Sequence, residues 1–222
     1  MPRCGVNAEE FPVTTAGHRQ FAAIWDWMSR HESRREQQIR GEVVGGSAGT
    51  TLEIGYGVGS NWQFLPPSVD YTGIDPDPFM RERAGHHIPA DRHLTLLDGD
   101  AQSLAFADAS FDTVIGTLVF CTIPDAERAL AEVRRVLKPG GEFRFWEHVR
   151  AHGRVGATAQ DAITPLWRRL GGGCHPNRDT RAAIERAGFE FLHIREVKLG
   201  PLPAIVGAAR PVSHDEAKSE RP

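Results

Sequence analysis

The stretch TLEIGYGVGSN, residues 51–61, decides the fold of this chain. An apolar strand pattern runs there into a turn that carries Gly55, Gly57 and Gly59. Glycine has no Cβ, so such a turn can adopt positive φ values and lets a ligand approach the backbone closely. A strand that ends in a glycine turn is typical of open α/β sheets, which bind ligands beyond the carboxyl ends of their strands. The turn by itself is only a weak indication of nucleotide binding.

Carboxylates stand near the ends of the first three predicted strands. Glu53 precedes the glycine turn, Asp75 lies in YTGIDP at residues 71–76, and Asp100 lies in LLDGDAQ at residues 96–102. An aspartate about 20 residues after the first glycine can accept hydrogen bonds from ribose hydroxyls. Three acids at one sheet edge favour a ligand with a ribose, an amino group and a positive charge. The phosphates of a dinucleotide would add negative charge to this acidic edge.

The spacing of the turn also departs from the dinucleotide fingerprint G-x-G-x-x-G/A. The third small residue of that fingerprint would stand at Ser60, and here the glycine comes one position early. A nucleotide-dependent oxidoreductase with an atypical turn is therefore kept as an alternative.

Strand and helix patterns alternate from residue 50 onward. The strand candidates are residues 50–55, 69–75, 93–98, 111–119, 142–149 and 189–197. The clearest helix runs from Asp125 to Leu137, and a second short helix covers about residues 180–187. This alternation predicts right-handed crossovers and an α/β fold, doubly wound, with a mainly parallel sheet covered on both faces.

Two segments lie outside the alternation. From about residue 16 a helical stripe carries Phe21, Ile24, Trp25 and Met28. Residues 150–178 carry a second apolar set, Ile163, Leu166, Trp167 and Leu170, followed by three glycines and Cys174-His175. Additions beyond the carboxyl ends of parallel strands commonly build the substrate side of a site. The helix is therefore predicted to be a lid, with simple packing on the domain as the alternative.

The organisation predicted from these patterns has three parts. Residues 1–40 form an N-terminal arm with the lid helix. Residues 41–212 form the ligand-binding domain, with residues 150–178 as a substrate-side insertion. The polar residues 213–222 are expected to be a disordered tail.

Composition excludes several classes of protein. The chain has 222 residues and a formal net charge of −3, which argues against non-specific nucleic-acid binding. No apolar run reaches the length of a membrane span, and no signal peptide is visible. Cys4, Cys121 and Cys174 lie far apart along the chain and match no zinc spacing or disulfide framework. We therefore expect no metal site and a reducing, cytoplasmic compartment.

The motifs together resemble the class I S-adenosylmethionine-dependent methyltransferases of the methyltransferase 11 domain type. The matching stretches are LEIGYGVGSN (52–61), YTGIDPDP (71–78), LLDGDAQSLAFADASFDTVI (96–115) and VRRVLKPGGEFRFWEHV (133–149). Within that group the chain is similar to the thiol S-methyltransferase-like proteins in its N-x-x-F-x-P-P stretch at 61–67, its IDP-x-P turn and its WEHV strand end. The resemblance implies a seven-stranded Rossmann-like methyltransferase fold and S-adenosylmethionine as cofactor.

The resemblance also implies roles for ten residues of the sheet edge. Those holding the methionine part of the cofactor would be Glu53, Gly55, Tyr56 and Gly57. Asp75 would bind the ribose hydroxyls, with Pro76 beside the adenine. The adenine would meet the Asp100 carboxylate and the Ala101 backbone. The methionyl end would be lined by Thr117 and Leu118.

The acceptor side is expected to take a small molecule, methylated at a thiol or a hydroxyl group. His148 and His175 are the candidate catalytic bases, since histidine titrates near neutral pH. Phe21, Trp25 and Trp167 are the candidate substrate contacts, because aromatic walls with few polar groups are typical of small-ligand pockets. No nucleic-acid partner is expected, and the sequence leaves the oligomeric state open.

Two further alternatives depend on the same residues. Cys121 and Cys174 could indicate arsenite methylation, in which cysteine thiolates hold the arsenic. The other alternative is a non-catalytic methyltransferase-like subunit that supports a partner protein. Such a subunit would not need carboxylates at the ends of three strands.

Overall fold

The computed structural model describes residues 18–200 and 202–212, so residues 1–17 of the predicted arm and the predicted disordered tail lie outside the described residues. The strands are β1 Thr50–Ile54, β2 Asp70–Ile74, β3 Leu94–Leu97, β4 Phe111–Thr117, β5 Leu137–His148, β6 Phe189–Leu199 and β7 Leu202–Pro211. The helices are α1 Arg19–Arg30, α2 Arg34–Gly45, α3 Pro78–Ala84, α4 Ala126–Val136, α5 Arg154–Leu170 and α6 Thr180–Arg186. A short 3-10 helix covers Trp62–Phe64.

The seven strands form one sheet in the order β3-β2-β1-β4-β5-β7-β6. Strands β3, β2, β1, β4 and β5 are parallel, whereas β7 is antiparallel to both of its neighbours. The predicted fold class is confirmed, and six of the strands fall on the predicted segments. No predicted segment corresponds to β7, because its prolines and glycine weaken the local strand pattern. The strand order reverses between β1 and β4, which places a ligand crevice at their carboxyl ends.

Helices cover the sheet on both faces. On one face, buried residues of α4 and α6 such as Leu130 and Ile184 pack in one cluster with Phe143 of β5. On the other face, Val43 and Val44 of α2 pack with Trp146 of the same strand. Strand β5 is therefore held from both sides, and its end, which carries His148, is positioned rigidly.

The N-terminal segment forms two helices. Ser33 accepts the N–H of Glu36, the Glu36 side chain accepts the N–H of Ser33, and this capping box starts α2. The predicted boundary at residue 40 thus falls inside α2, which packs on the sheet, and the candidate lid is α1 alone.

The predicted apolar stripe of α1 is only partly correct. Ile24 and Met28 are 53% and 47% exposed, whereas Ala22 and Asp26 are buried. Asp26 faces inward because it pairs with Arg83 on α3, at 2.9 Å. An ion pair with a distant helix is invisible to a count of apolar spacing, which is why the pattern misplaced the face.

Helix α5 in the insertion is fastened by polar contacts. The buried Gln160 donates to the carbonyl oxygens of Val149 and Pro176 at 3.2 and 3.1 Å, and accepts the N–H of Ala151 at 2.6 Å. Ile163 and Leu166, part of the predicted apolar set, are instead exposed by 55% and 61%. No helix of the described residues has the length and apolar character needed to cross a membrane.

Candidate active site at the carboxyl edge of the sheet

The glycine turn after β1 has the backbone that the sequence predicted. Gly55, Gly57 and Gly59 have φ values of +67°, +55° and +85°. A Cβ on Gly55 would lie 2.4 Å from a methyl of Val119, and a Cβ on Gly59 would lie 2.5 Å from the Trp62 ring. Side chains at these two positions would clash as well as strain the backbone, so the turn requires glycine.

Asp75 at the end of β2 faces this turn. Its carboxylate accepts the N–H of Gly57 at 2.8 Å and the N–H of Asp77 at 2.9 Å, one on each oxygen. Burial raises the pKa of Asp75 to about 6. Each carboxylate oxygen can accept a second hydrogen bond, so the two oxygens can receive the two hydroxyls of a ribose. Pro76 follows directly, at the start of the turn into α3.

Glu53 stands at the centre of a buried polar network. Its carboxylate accepts the Asn61 amide at 2.6 Å and the Tyr71 hydroxyl at 2.5 Å. Burial raises the pKa of Glu53 to about 7. Both oxygens therefore have protein partners, and the contact of Glu53 with the methionine part of a cofactor stays a prediction.

The sequence reasoning missed Tyr71, Asn61 and Arg40 as members of this network. Asn61 donates to Thr117 at 2.9 Å, and the buried Arg40 donates to the Asn61 carbonyl oxygen at 2.6 Å. The position of Asn61 directly after the glycine turn was an available signal. Arg40 lies in a polar stretch of α2 that offered no such signal. The network joins Arg40 to the predicted site residue Thr117.

The other predicted residues after β1 and β4 are largely buried. Tyr56 is 4% exposed and packs against Trp62, with ring centroids 5.9 Å apart. Leu118 has a φ of +56°, which is unusual for a residue with a side chain, and its N–H donates to the carbonyl oxygen of Trp146 at 2.6 Å. Strained backbone of this kind is concentrated at functional sites.

Asp100 lies beyond β3 at the same edge as Asp75. It accepts the N–H of Gln102 at 2.8 Å and the Gln102 side-chain amide at 3.0 Å. Gln102 in turn accepts the N–H of Asp125 at 3.0 Å, which joins this loop to the start of α4. Ala101 between them is buried. The structure thus gathers the predicted adenine and ribose residues along one edge.

Helix α1 spans the gap between the glycine turn and the insertion. The indole nitrogen of Trp25 lies 3.7 Å from the position of a Cβ on Gly57, and a Cβ on Gly172 would lie 2.4 Å from the Phe21 ring. Two of the three predicted substrate contacts therefore lie side by side on α1, with ring centroids 5.9 Å apart. The backbone N–H of His18, just before α1, donates to Asp77 at 3.0 Å and ties the helix to the β2–α3 turn.

Glu147 organises the turn after β4. It is buried, and its carboxylate accepts the N–H groups of Val119, Phe120 and Cys121 at 2.8, 3.0 and 3.3 Å. Burial raises the pKa of Glu147 to about 7. Glu147 therefore holds the loop that carries Cys121, and it does not orient the neighbouring His148. No sequence signal indicated this role.

The candidate bases meet the two distant cysteines. Nδ1 of the buried His148 lies 3.7 Å from Sγ of Cys121 and 3.8 Å from Sγ of Cys174. The N–H of His175 donates to the carbonyl oxygen of Cys121 at 2.7 Å. Trp167 is 40% exposed, and its side chain lies beside that of Cys174. The structure gathers the predicted acceptor-side residues, while their role as bases stays a prediction.

The arrangement fits S-adenosylmethionine. The Asp75 carboxylate can accept two hydroxyls, the glycine turn presents bare backbone, and Asp75 and Asp100 place carboxylates at the edge, which suits a positively charged ligand. Asp75, Asp100 and the backbone of the glycine turn are the residues that would hold it.

Comparison with known proteins gives the same result. A family model described as a methyltransferase domain matches residues 52–145. The chain is 39% identical to thiol S-methyltransferase TMT1B of Rattus norvegicus over 150 residues, which are 65% of this chain and only 62% of the rat protein. It is 38% identical to thiol S-methyltransferase TMT1A of Homo sapiens over 203 residues, covering 80% of this chain and 83% of the human protein.

A solved S-adenosylmethionine-dependent methyltransferase from Mesorhizobium loti superposes with a TM-score of 0.60 at 21% identity, covering 81% of this chain and 99% of that one. That likeness concerns the fold. The sequence identity with the rat and human proteins shows more than a shared fold. The chain belongs to the family of S-adenosylmethionine-dependent methyltransferases that includes the thiol S-methyltransferases.

Proposed function

We propose that the chain methylates the sulfur of a small, largely uncharged thiol. The observation that carries this proposal is the 38% identity with a thiol S-methyltransferase over 80% of the chain. The composition of the acceptor-side residues, mostly aromatic with few polar groups, is compatible with that substrate class. Methylation of a small hydroxyl compound is the runner-up.

The chain's own residues would position the reactants and exclude water. When bound, S-adenosylmethionine supplies an activated methyl group on a positively charged sulfur. Asp75 and the glycine turn would hold the nucleoside, and α1 would cover the crevice through Trp25 and Phe21. Such closure places the acceptor sulfur in line and keeps solvent away from it.

A thiol makes small chemical demands on this site. A thiol ionises near pH 8.5, and a neighbouring positive charge favours its thiolate, so no dedicated base is required. A hydroxyl acceptor would need one. His175 is turned towards the carbonyl oxygen of Cys121, with its Nδ1 at 3.3 Å. We keep His148 and His175 as residues of the acceptor side that shape the pocket.

The size of the acceptor follows from the walls of the crevice. Phe21 and Trp25 from α1 and Trp167 from α5 offer apolar surface. The net charge of −3 provides no general attraction for the phosphates of a nucleic acid. A small molecule is therefore the proposed partner, and a nucleic acid is not.

The test is a matched acceptor panel with one ring and four functional groups. Thiophenol, phenol, aniline and benzoate would each be incubated with the full chain and S-adenosylmethionine, and products would be followed by mass spectrometry. We expect the thiol to gain one methyl group and the others to react much more slowly. Methylation of phenol in preference to thiophenol would refute sulfur specificity.

A variant separates thiol from hydroxyl chemistry on the same acceptors. His175→Gln should lower the thiol rate only a few-fold, because no base is removed. A hydroxyl acceptor that relied on this histidine would lose about 10²–10⁴-fold. Efficient methylation of RNA, DNA or protein, with no small acceptor found, would contradict the proposal as a whole.

A further inference from the structure

Three soft donor atoms meet in one buried cluster. Cys121 comes from the turn after β4, His148 from the end of β5 and Cys174 from the loop after α5, and they are exposed by only 1%, 7% and 6%. Their donor atoms all lie within 4.8 Å of one another. The sequence showed no metal spacing, because the three residues are separated by 26 and 27 positions and converge only through folding.

The distances within the cluster resemble those of a metal site. Zinc binds thiolate sulfur at about 2.3 Å and imidazole nitrogen at about 2.05 Å, so a tetrahedral site sets sulfur–sulfur at about 3.8 Å and sulfur–nitrogen at about 3.6 Å. The observed sulfur–nitrogen distances are 3.7 and 3.8 Å, and the sulfurs are 3.2 Å apart. The sulfurs would need to separate by about 0.6 Å to fit zinc. A disulfide would instead need them to approach to about 2.05 Å.

The charge of the cluster also suits a cation. Cys121 and Cys174 can supply two thiolates, and their sulfurs already lie within hydrogen-bond distance of each other, at 3.2 Å. A divalent cation that binds both sulfurs displaces their two thiol protons to solvent and is neutralised by the two thiolates, while histidine binds as the neutral ring. The ring of His148 is already aimed at the sulfurs, since Nδ1 faces both and the buried Nε2 has no partner among the described residues.

We infer that Cys121, His148 and Cys174 bind a zinc ion through two sulfurs and Nδ1, and leave its fourth position open to the acceptor thiol. Three protein ligands with one open position is the arrangement of catalytic zinc sites. The second part of the inference rests on the proposed function.

The cluster is well placed for such a role. Sγ of Cys121 lies 3.6 Å from the carbonyl oxygen of Leu118, a residue that the family resemblance assigns to the methionyl end of the cofactor. The side chain of Trp167, a predicted substrate contact, lies beside that of Cys174. A thiol that binds the ion exchanges its S–H bond for a sulfur–zinc bond and releases the proton to solvent. The ion would thereby hold the acceptor as a thiolate at neutral pH.

Zinc affinity of the reduced, full-length chain tests the first part. Competition with a chromogenic chelator should show one tightly held equivalent in the wild type. Cys4→Ser, which changes the cysteine outside the described residues, is the matched control and should bind equally. Cys121→Ser and Cys174→Ser should each weaken binding by more than about 100-fold, since even partners of metal ligands contribute about 10- to 100-fold.

A second measurement needs no variant and therefore does not depend on how a substituted chain folds. The wild type loaded with Co²⁺ should show thiolate-to-cobalt charge-transfer absorption and tetrahedral d–d bands. Absence of that absorption would overturn the site, and in the chelator competition so would zinc binding no tighter than in a Cys121→Ser/Cys174→Ser double variant. A Cys121–Cys174 disulfide that persists in reducing buffer would overturn it as well.

The open position is tested with 2-mercaptoethanol as the probe. When 2-mercaptoethanol is added to the cobalt-loaded chain without S-adenosylmethionine, the charge-transfer absorption should increase and reach saturation. An unchanged spectrum would overturn the role of the metal ion in thiol binding. Undiminished thiol methylation after removal of zinc by a chelator would overturn that role too. Failure of the proposed function looks different, since the metal spectra would be intact and no thiol would be methylated.

Discussion

The affinity for the cofactor product should depend on pH through Asp75. Burial raises the pKa of this carboxyl from 3.8 to about 6. The ionised form therefore costs folding free energy above pH 6, and this group stabilises the cofactor-free protein as the pH falls from about 6 towards 4. Binding of a ribose favours the ionised form of Asp75 instead of the protonated form, because the ribose hydroxyls donate to the ionised carboxylate.

The size of the effect follows from this pKa. If only the ionised form binds, about one tenth of the protein is competent at pH 5, and the Kd for S-adenosylhomocysteine rises about tenfold between pH 7.5 and pH 5. At pH 7.5, Asp75→Asn should raise the Kd by about 10- to 150-fold, the loss of a hydrogen bond to a charged group. The variant also places an amide N–H against one of the backbone N–H groups that Asp75 now accepts.

Isothermal titration calorimetry at a series of pH values measures both effects. The Glu53 titration persists in Asp75→Asn, so the difference between the two pH profiles isolates Asp75. Asp98→Asn is the matched control, since Asp98 lies at the same edge but is 47% exposed and pairs with Arg81 at 3.0 Å. A flat Kd from pH 8 to pH 5 in a protein that stays folded, or equal losses in the two variants, would refute the assignment of the ribose to Asp75.

Three further predictions concern the lid and the glycine turn. Phe21→Ala should lower kcat/KM for the acceptor about tenfold or more with little change in cofactor affinity, because closure is lost. Ile24→Ala, on the exposed side of α1, should change neither quantity. Equal kinetics of the two variants would show that α1 only packs on the domain and is not a lid. Asp26→Asn removes the partner of Arg83 and His87, at 2.9 and 3.0 Å, and should speed amide hydrogen exchange in α1 by about 10- to 100-fold while β1 is unaffected. Gly59→Ala combines a φ of +85° with a clash at 2.5 Å and should lower the Tm by about 5–15 °C. Gly140→Ala has a φ of +79° but open space around the new Cβ, and should lower the Tm by only about 2–4 °C. Similar Tm shifts in the two variants would show that the clash with Trp62 relaxes.

Sequence patterns alone were sufficient for six of the seven strands and for the acidic edge of the sheet. The glycine turn, Asp75 and Asp100 each follow a strand, and parallel strands carry such residues to one edge whatever the details of packing. Local periodicity and turn residues decide strands and helices within a few positions. That is why six strand segments, α4 and α6 agree with the structure.

The inward face of α1 and the polar network around Glu53 were decided only by tertiary structure. Asp26 is buried because Arg83 and His87, about 60 positions away, reach it. Arg40 is buried because Asn61 accepts from it, 21 positions further along the chain. Neither partner is marked by spacing or periodicity.

The same physical reason applies to Cys121, His148 and Cys174. They are unremarkable along the chain, and the sheet order, with the return of the insertion over the end of β5, brings their sulfur and nitrogen atoms together. Periodicity reports which face a residue takes on its own element. Contacts between elements depend on how the elements pack, and packing is settled by long-range burial and hydrogen bonding that a single sequence does not display.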